Sequence, residues 1–473
     1  MDLPKHHTKI VATIGPASES REILAQMILA GVNVARLNFS HGDFPAHQRT
    51  IQNIRWAAGA AGQRVAIMAD LPGPKIRIGV LGPAKISLKP GDQFTLTTQE
   101  IVGDEHRVSV SFPRLPQVVK PGDIIYLNDG YIQLQVAQVQ GADVICSVKV
   151  GGELRSEKGV NLPGINLGIS AFTEHDQACL KFALENGADA VSQSFVEKAD
   201  DVVAVRKAAQ ELGHRPFVIA KIERSRALDH IDEILEAADG IMIARGDLGV
   251  EVPIETIAVV QKALMRRANQ RAKPVITATQ MLESMMTNPR PTRAEATDVA
   301  NAILDGTDCV MLSEESAMGN YPVEAVAMLG KIAAAVEPTR RRVQVKEMHE
   351  AFEVRGQVRP EHLVALAVEA CFEYSTPAAV FVPTLSGASA RRVAALRLPA
   401  WIVAVSPQEK TCQDLIFSYG VTPVHEAKDP TAWKPYVRNW LHEHNMPGEL
   451  VLLTGGPSPD YPDNNHHMEI IEL

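Results

Sequence analysis

Short, mostly apolar runs recur along the chain at Lys9–Ile14, Val32–Leu37 and Val65–Ala69. A stretch patterned as a helix runs from about Ser20 to Ala30 between the first two. The alternation stops near Gly73 and resumes with Ala188–Gln193, Pro216–Ala220, Gly240–Ala244, Pro274–Ala278 and Cys309–Leu312. That makes eight strands, each with room for a helix after it. Eight parallel strands with crossover helices predict a (β/α)8 barrel.

The interruption has another texture. Ile86–Thr97 and Ile124–Leu134 alternate apolar and polar residues around Pro-Gly and Asp-Gly turns, which predicts strands and hairpins. An inserted β-barrel lid is expected over residues 75–170, standing above the mouth of a barrel built from 1–74 and 171–344. From 345 to 473 the pattern changes again. Helical Glu361–Tyr374, Ala388–Arg397 and Lys410–Tyr419 intersperse with strand-like Ala378–Val382, Trp401–Val405 and Leu450–Leu453, predicting a small open α/β sheet.

Composition narrows the class. At 45% hydrophobic and 22% charged residues, the chain reads as globular rather than disordered or collagen-like. Lys and Arg total 47 against 56 Asp and Glu, a formal charge of -9 that argues against a broad nucleic-acid surface. No run is long enough to cross a bilayer and no signal-peptide core opens the chain, so a cytoplasmic protein without membrane partners is expected. The five cysteines are widely spaced, as buried free thiols of a reducing compartment would be. The pairs His6–His7 and His466–His467 read as solvated surface.

Polar groups gather at the ends of the predicted strands: Arg36, Asn38, Asp70, Gln193, Ser194, Lys221, Glu223, Arg245, Asp247, Thr279, Ser313 and Glu315. That end of such a barrel carries the active site. One residue of this kind is usually a helix cap, but a run of them over successive strands is not. Glu223 and Asp247, at neighbouring strand ends, suit Mg²⁺ or Mn²⁺ with open positions for substrate oxygens. Lys221 and Glu223, two residues apart, share a side of their strand, where a plain ion pair is an equal reading. Gly246 lets backbone approach a ligand, although a turn alone would also want glycine. Thr279 has a hydroxyl for a carboxylate or a proton, or for an N-cap. There is no phosphate-binding P-loop and no strand-linked G-x-G-x-x-G, so a nucleotide would rely on separated cations. Arg77 and Lys158, on the lid's two connections, are candidates.

These segments strongly resemble the pyruvate kinase family. The resemblance rests on Lys9–Ser18 (KIVATIGPAS), Arg36–Gly42 (RLNFSHG), Gly73–Arg77 (GPKIR), Lys158–Pro163 (KGVNLP), Lys221–Glu223 (KIE), Ala244–Glu251 (ARGDLGVE) and Ala278–Ser284 (ATQMLES), in order over essentially the whole chain. It implies phosphoryl transfer from phosphoenolpyruvate to ADP, giving pyruvate and ATP. It further implies that Arg36 binds the transferring phosphate and that Glu223 and Asp247 hold the divalent metal. By the same resemblance, Lys221 stabilises developing charge, and Gly246, Asp247 and Thr279 receive the substrate carboxylate. Asn38, Arg77 and Lys158 meet the nucleotide. Many family members also need K⁺. Here Asn38, Ser40 and Asp70 match that site, whereas Leu71 replaces a threonine and Lys75 a glutamate. The Leu–Lys pairing resembles the K⁺-independent branch, so K⁺ is expected to be dispensable, with the Lys75 ammonium supplying the charge. The loop Thr384, Ser386, Gly387, Ser389 and Arg391 resembles the family's sugar-phosphate effector site, with AMP a further candidate, and a plain helix cap is the alternative. A homotetramer is implied by resemblance only. Glu314 departs from the family's small residue and receives no role. Two rivals remain: a metal-dependent barrel aldolase or lyase acting on a keto acid, and a catalytically dead metabolite sensor.

Overall fold

The computed structural model describes residues 3–340, 360–428, 430–456 and 465–473. Eight parallel strands close into a barrel: Lys9–Thr13, Val32–Asn38, Ala66–Leu71, Ala190–Gln193, Phe217–Ile222, Gly240–Ala244, Val275–Ala278 and Cys309–Leu312, with the last pairing onto the first. Each is followed by a helix, the third only after the insertion. Alternate side chains divide two apolar layers. Val11, Val34, Met68, Ile219, Met242, Ile276 and Met311 fill the barrel interior. Leu37, Ala69, Leu71, Val191, Ile222 and Ile243 face the helices instead.

Helix starts obey local chemistry. Ser20 and Asp43 accept from Ile23 and Ala46 backbone amides, and Thr173–Asp176 and Thr292–Glu295 form reciprocal capping boxes. These caps hold the outer ring in register with the strands it covers.

The inserted segment builds its own core around Phe94, Leu96, Ile125, Leu127, Leu134, Cys146 and Val148. A six-stranded sheet and a two-stranded one, Ile86–Leu88 with Gly152–Leu154, wrap it. The Asp129-Gly130 turn reaches down to the barrel mouth, where a Cβ on Gly130 would meet Val250 at 3.2 Å. The two connections run side by side, with Arg77 bridging antiparallel to Gly159.

The C-terminal region is an α/β sheet in the order Val421–His425, Trp401–Ser406, Ala379–Pro383, Leu450–Gly455, His467–Glu472, parallel except for its last strand. The expected helix Lys410–Tyr419 is two pieces, Glu409–Asp414 and a 3₁₀ turn Leu415–Phe417. That turn leaves its own sheet and enters the base of the barrel. Phe417 stacks on Phe217 at 5.1 Å, and Ile416 and Phe417 join the interior layer. The expected boundary at 345 lies outside the described residues. Cys146, Cys179, Cys309 and Cys412 are buried and Cys371 is half-buried, all free.

His6 and His7 are not surface groups. His6 is buried and bonds the Thr8 carbonyl, and His7 bonds Glu337 and packs on Trp401. They line the seam between barrel base and C-terminal sheet, where aromatic neighbours replace solvent. His466 and His467 are exposed. Among the described residues, no helix is long and apolar enough to cross a membrane.

Candidate active site

At the C-terminal mouth, parallel register sets Arg36 beside Thr13 and Met68, Asn38 beside Asp70, and Ser192 beside Asp70. Asp70 therefore becomes the hub. Arg36 donates to Asp70 Oδ2 through Nε at 2.7 Å and through Nη2, while its Nη1 donates to Thr13 Oγ1 at 2.9 Å. Ser192 donates to Asp70 Oδ1 at 2.8 Å. Lys221 Nζ lies 3.3 Å from Asp70 Oδ1, 2.9 Å from Glu223 Oε1 and 2.7 Å from Ser194 Oγ. All four charged groups are nearly enclosed, at 9% exposure for Arg36, 8% for Lys221, 2% for Glu223 and 1% for Asp70.

The electrostatics follow from that enclosure. Burial opposes ionisation of Asp70, but Arg36 and Lys221 outweigh it and hold the carboxyl below its ordinary value. Burial likewise works against the Lys221 ammonium, and the Asp70 and Glu223 charges overcome it, so that pKa is raised. Glu223 goes the other way: burial lifts it, Lys221 opposes, and the like charge of Asp247 adds to the lift. The two carboxylates are close enough to repel, which is the condition a divalent cation relieves. Among the described residues no cluster of three or more His, Cys, Asp or Glu side chains forms a closed metal cage. A pair with open positions fits Mg²⁺ or Mn²⁺ better than a structural zinc.

A second cluster forms around Thr279, which directly follows the seventh strand with φ of 67°, followed by Gln280 at 53°. A β-branched residue in that region stores roughly 1–3 kcal/mol of strain. Its surroundings enforce it. Thr279 Oγ1 accepts from the Gly246 amide at 2.7 Å, and Arg245 donates to the Thr279 carbonyl at 2.7 Å. A Cβ on Gly246 would lie 3.5 Å from the Thr279 methyl, closing the gap between them. Arg245, grouped with the mouth cations from sequence, faces elsewhere. It pairs with Asp298 at 2.6 Å and braces the 278–281 turn. Buried Glu315 holds the same loop, accepting from Leu282 and Ser313 amides.

The lid side is more open. Arg77 donates to the Glu157 carbonyl at 3.0 Å, and half-buried Lys158 lies on the neighbouring connection. Lys75 Nζ reaches Asp247 Oδ1 at 3.5 Å, so its ammonium lies beside one member of the carboxylate pair. Asn38 accepts from the Ser40 amide at 3.2 Å and Ser40 is exposed. Leu71 corrects one premise: its side chain is fully buried in the layer facing the helices. Strand alternation turns residue 71 outward once Asp70 turns inward, so a leucine there removes no side-chain ligand from the mouth. Gln193 is outward for the same reason, donating to the Ala171 carbonyl.

In the C-terminal loop, Thr384 and Ser386 hydroxyls accept from the Gly387 and Ala388 amides. Arg391 folds back to the Ser386 carbonyl, and burial lowers its pKa. Ser389 is half-buried and Glu314 is exposed. Sequence pattern alone does not single out Thr13, Ser192 or Asp298. Their only signal is a polar residue at the end of an apolar strand or within a helix.

A pyruvate kinase barrel-domain model matches residues 5–326, and a pyruvate kinase alpha/beta-domain model matches 361–471. The chain belongs to the pyruvate kinase family. Pyruvate kinase of Thermococcus litoralis is 48% identical over 426 residues, covering 89% of each chain. That of Clostridium acetobutylicum is 42% identical, with 88% of each covered. That of Geobacillus stearothermophilus is 43% identical over 96% of this chain and 78% of its own length.

Proposed function

We propose that the protein transfers the phosphoryl group of phosphoenolpyruvate to ADP, giving pyruvate and ATP as the last step of glycolysis. Supporting this reading is the convergence of Arg36 and Lys221 on buried Asp70, beside the Glu223–Asp247 pair, in a chain of this family. Phosphoryl transfer needs positioned positive charge more than covalent chemistry. Arg36 binds the transferring phosphate. Lys221 stabilises charge developing on the phosphoryl group and then on the enolate. Gly246 and Asp247, with Thr279, take the carboxylate end, and Thr279 with a water protonates the enolate at its methylene carbon. Asn38, Arg77 and Lys158 serve the nucleotide. Glu223 and Asp247 would hold Mg²⁺ or Mn²⁺, whose charge neutralises substrate oxygens. The lid, divided from the barrel at 74/75 and 170/171, excludes water from the mouth.

K⁺ is dispensable in this reading. Its support is Asp70, already saturated by two cations, and Lys75 beside Asp247, rather than the leucine at 71. We assign a sugar-phosphate or AMP effector to Thr384, Ser386, Gly387, Ser389 and Arg391, where an effector phosphate would take over bonds the loop makes to itself. The assembly is a homotetramer on family resemblance alone. A lactate-dehydrogenase-coupled assay tests the function. Pyruvate formation should require both phosphoenolpyruvate and ADP, and turnover of a keto acid without ADP would favour the aldolase or lyase.

A further inference from the structure

Immediately beyond Glu223 the chain runs Arg224-Ser225-Arg226; the first two reach the lid's return connection, while Arg226 pairs with Glu197. Arg224 Nη2 donates to the Ile165 carbonyl at 3.2 Å, and the Gly164 amide donates to Ser225 Oγ at 3.3 Å. Ile165 packs on the lid's own core. The strand end carrying Lys221 and Glu223 is thus tied to the lid within two residues. The tie extends further. Arg224 lies 3.4 Å from Glu197 Oε1 and 3.7 Å from Glu251 Oε2, and Ser225 Oγ donates to Glu251 Oε2 at 3.2 Å. Glu251 ends the short helix Arg245–Glu251, which carries Asp247 and touches the lid tip through Val250.

This network is enclosed yet incomplete. Arg224 and Glu251 are 6% and 5% exposed, and both Arg224 Nε and Glu251 Oε1 have no hydrogen-bond partner. Unpaired polar atoms so deeply buried are costly, and here two of opposite charge stand on facing groups. At 3.7 Å the Nε–Glu251 contact is an ion pair but too long for a hydrogen bond. A shift of less than an ångström between the Glu223 strand end and the Asp247 helix would bring Arg224 Nε within hydrogen-bond distance of Glu251 Oε2.

We propose that Arg224, with Glu251 and Ser225, forms a positioning clamp that couples lid position to the spacing of Glu223 and Asp247. All three are positioning residues, bonded to the hinge and to one another. Arg224 holds the hinge at Ile165 with one edge of its guanidinium and faces Glu251 with another. The lid therefore cannot swing without loading the element that carries Asp247. A planar, multi-donor guanidinium does this and a lysine cannot, since one ammonium does not span the three acceptors. The clamp rests on the phosphoryl-transfer reading for its kinetic consequence, but not for its mechanical one.

The test uses the full-length protein with Arg224→Lys, which keeps the buried charge, and Ser225→Ala, which removes the hinge bond to Gly164 together with the hydroxyl's bond to Glu251. Hydrogen exchange read across residues 162–168 should speed up in both variants, by about tenfold for Arg224→Lys, with the barrel strands unchanged. In the coupled assay Arg224→Lys should raise KM for ADP about tenfold while KM for phosphoenolpyruvate moves less than about twofold, and a Glu251→Gln change added to it should cost little more. Unchanged hinge exchange in both variants overturns the clamp. So does an equal rise in both KM values, which would mark a general loosening of the mouth. If the parent protein makes no pyruvate from phosphoenolpyruvate and ADP, the functional reading fails, and the exchange measurement still decides the clamp.

Discussion

Two cations share one carboxylate at the mouth, and their separation is set before any substrate arrives. Asp70 anchors Arg36 from one side and Lys221 from another, while Ser192 and Thr13 hold the rest of each fork. Preorganised charge of this kind acts without reorganisation during reaction. Lys221→Met should lower kcat by about 10²–10³-fold with the fold intact by circular dichroism, and near-normal turnover would remove Lys221 from its role. For K⁺, initial rates at constant ionic strength should agree within about twofold between K⁺ and Na⁺ media. A steep rise on adding K⁺ would contradict the charge argument from Asp70 and Lys75.

Elements show what a sequence reveals and what it withholds. Barrel strands are legible because parallel strands buried on both faces read as unbroken apolar runs, and all eight are found where those runs lie. Val421–His425, Trp433–Glu443 and His467–Glu472 escape the same reading because they are half-exposed or edge elements with mixed composition. Strand-end polar residues mark the mouth correctly, yet which of them point inward depends on where alternation begins. Asp70, Lys221 and Glu223 do, whereas Gln193 and Arg245 do not, and apolar Leu71 next to Asp70 faces the helices. The pair His6–His7 reads as solvated because nothing local in the sequence points to its distant partners. Glu337, beyond the last barrel helix, accepts from the His7 and Thr8 amides and the Thr8 hydroxyl. Burial there opposes ionisation, but bonds and charge from His7 and bonds from Thr8 prevail and lower the carboxyl to about 2. A depressed acid pKa contributes stability above the unfolded value of 4.5 that is lost as pH falls toward 2. Glu337→Gln should therefore lower Tm at pH 7 and flatten the acid loss between about pH 4.5 and 2, by roughly 3 kcal/mol over the window. An acid-unfolding curve parallel to the parent's would contradict this.

Across the whole molecule, the base of the barrel is closed by residues from another sheet. Phe417 on Phe217, Lys9 donating to the Val421 carbonyl at 2.8 Å, and Arg397 on Asp308 at 2.7 Å lock barrel and C-terminal region together. Phe417→Ala should cost about 3–5 kcal/mol and separate one thermal transition into two, because the cavity opens at the junction itself. A single transition merely shifted to lower temperature would place the loss within one unit instead. The lid, by contrast, has its own closed core and meets the barrel through hinges and a turn tip. One unit is welded and the other is hung.

The shared anchor at Asp70 also bears on descent. A lineage can exchange Arg36 or Lys221 one at a time and keep the remaining cation neutralised. It cannot exchange Asp70 without stranding Arg36 in an enclosed pocket and taking from Lys221 one of its two carboxylate partners. Drift at that position is therefore barred while the neighbours persist. In a relative that has abandoned the chemistry, residue 70 should change only after at least one of the two cations has gone.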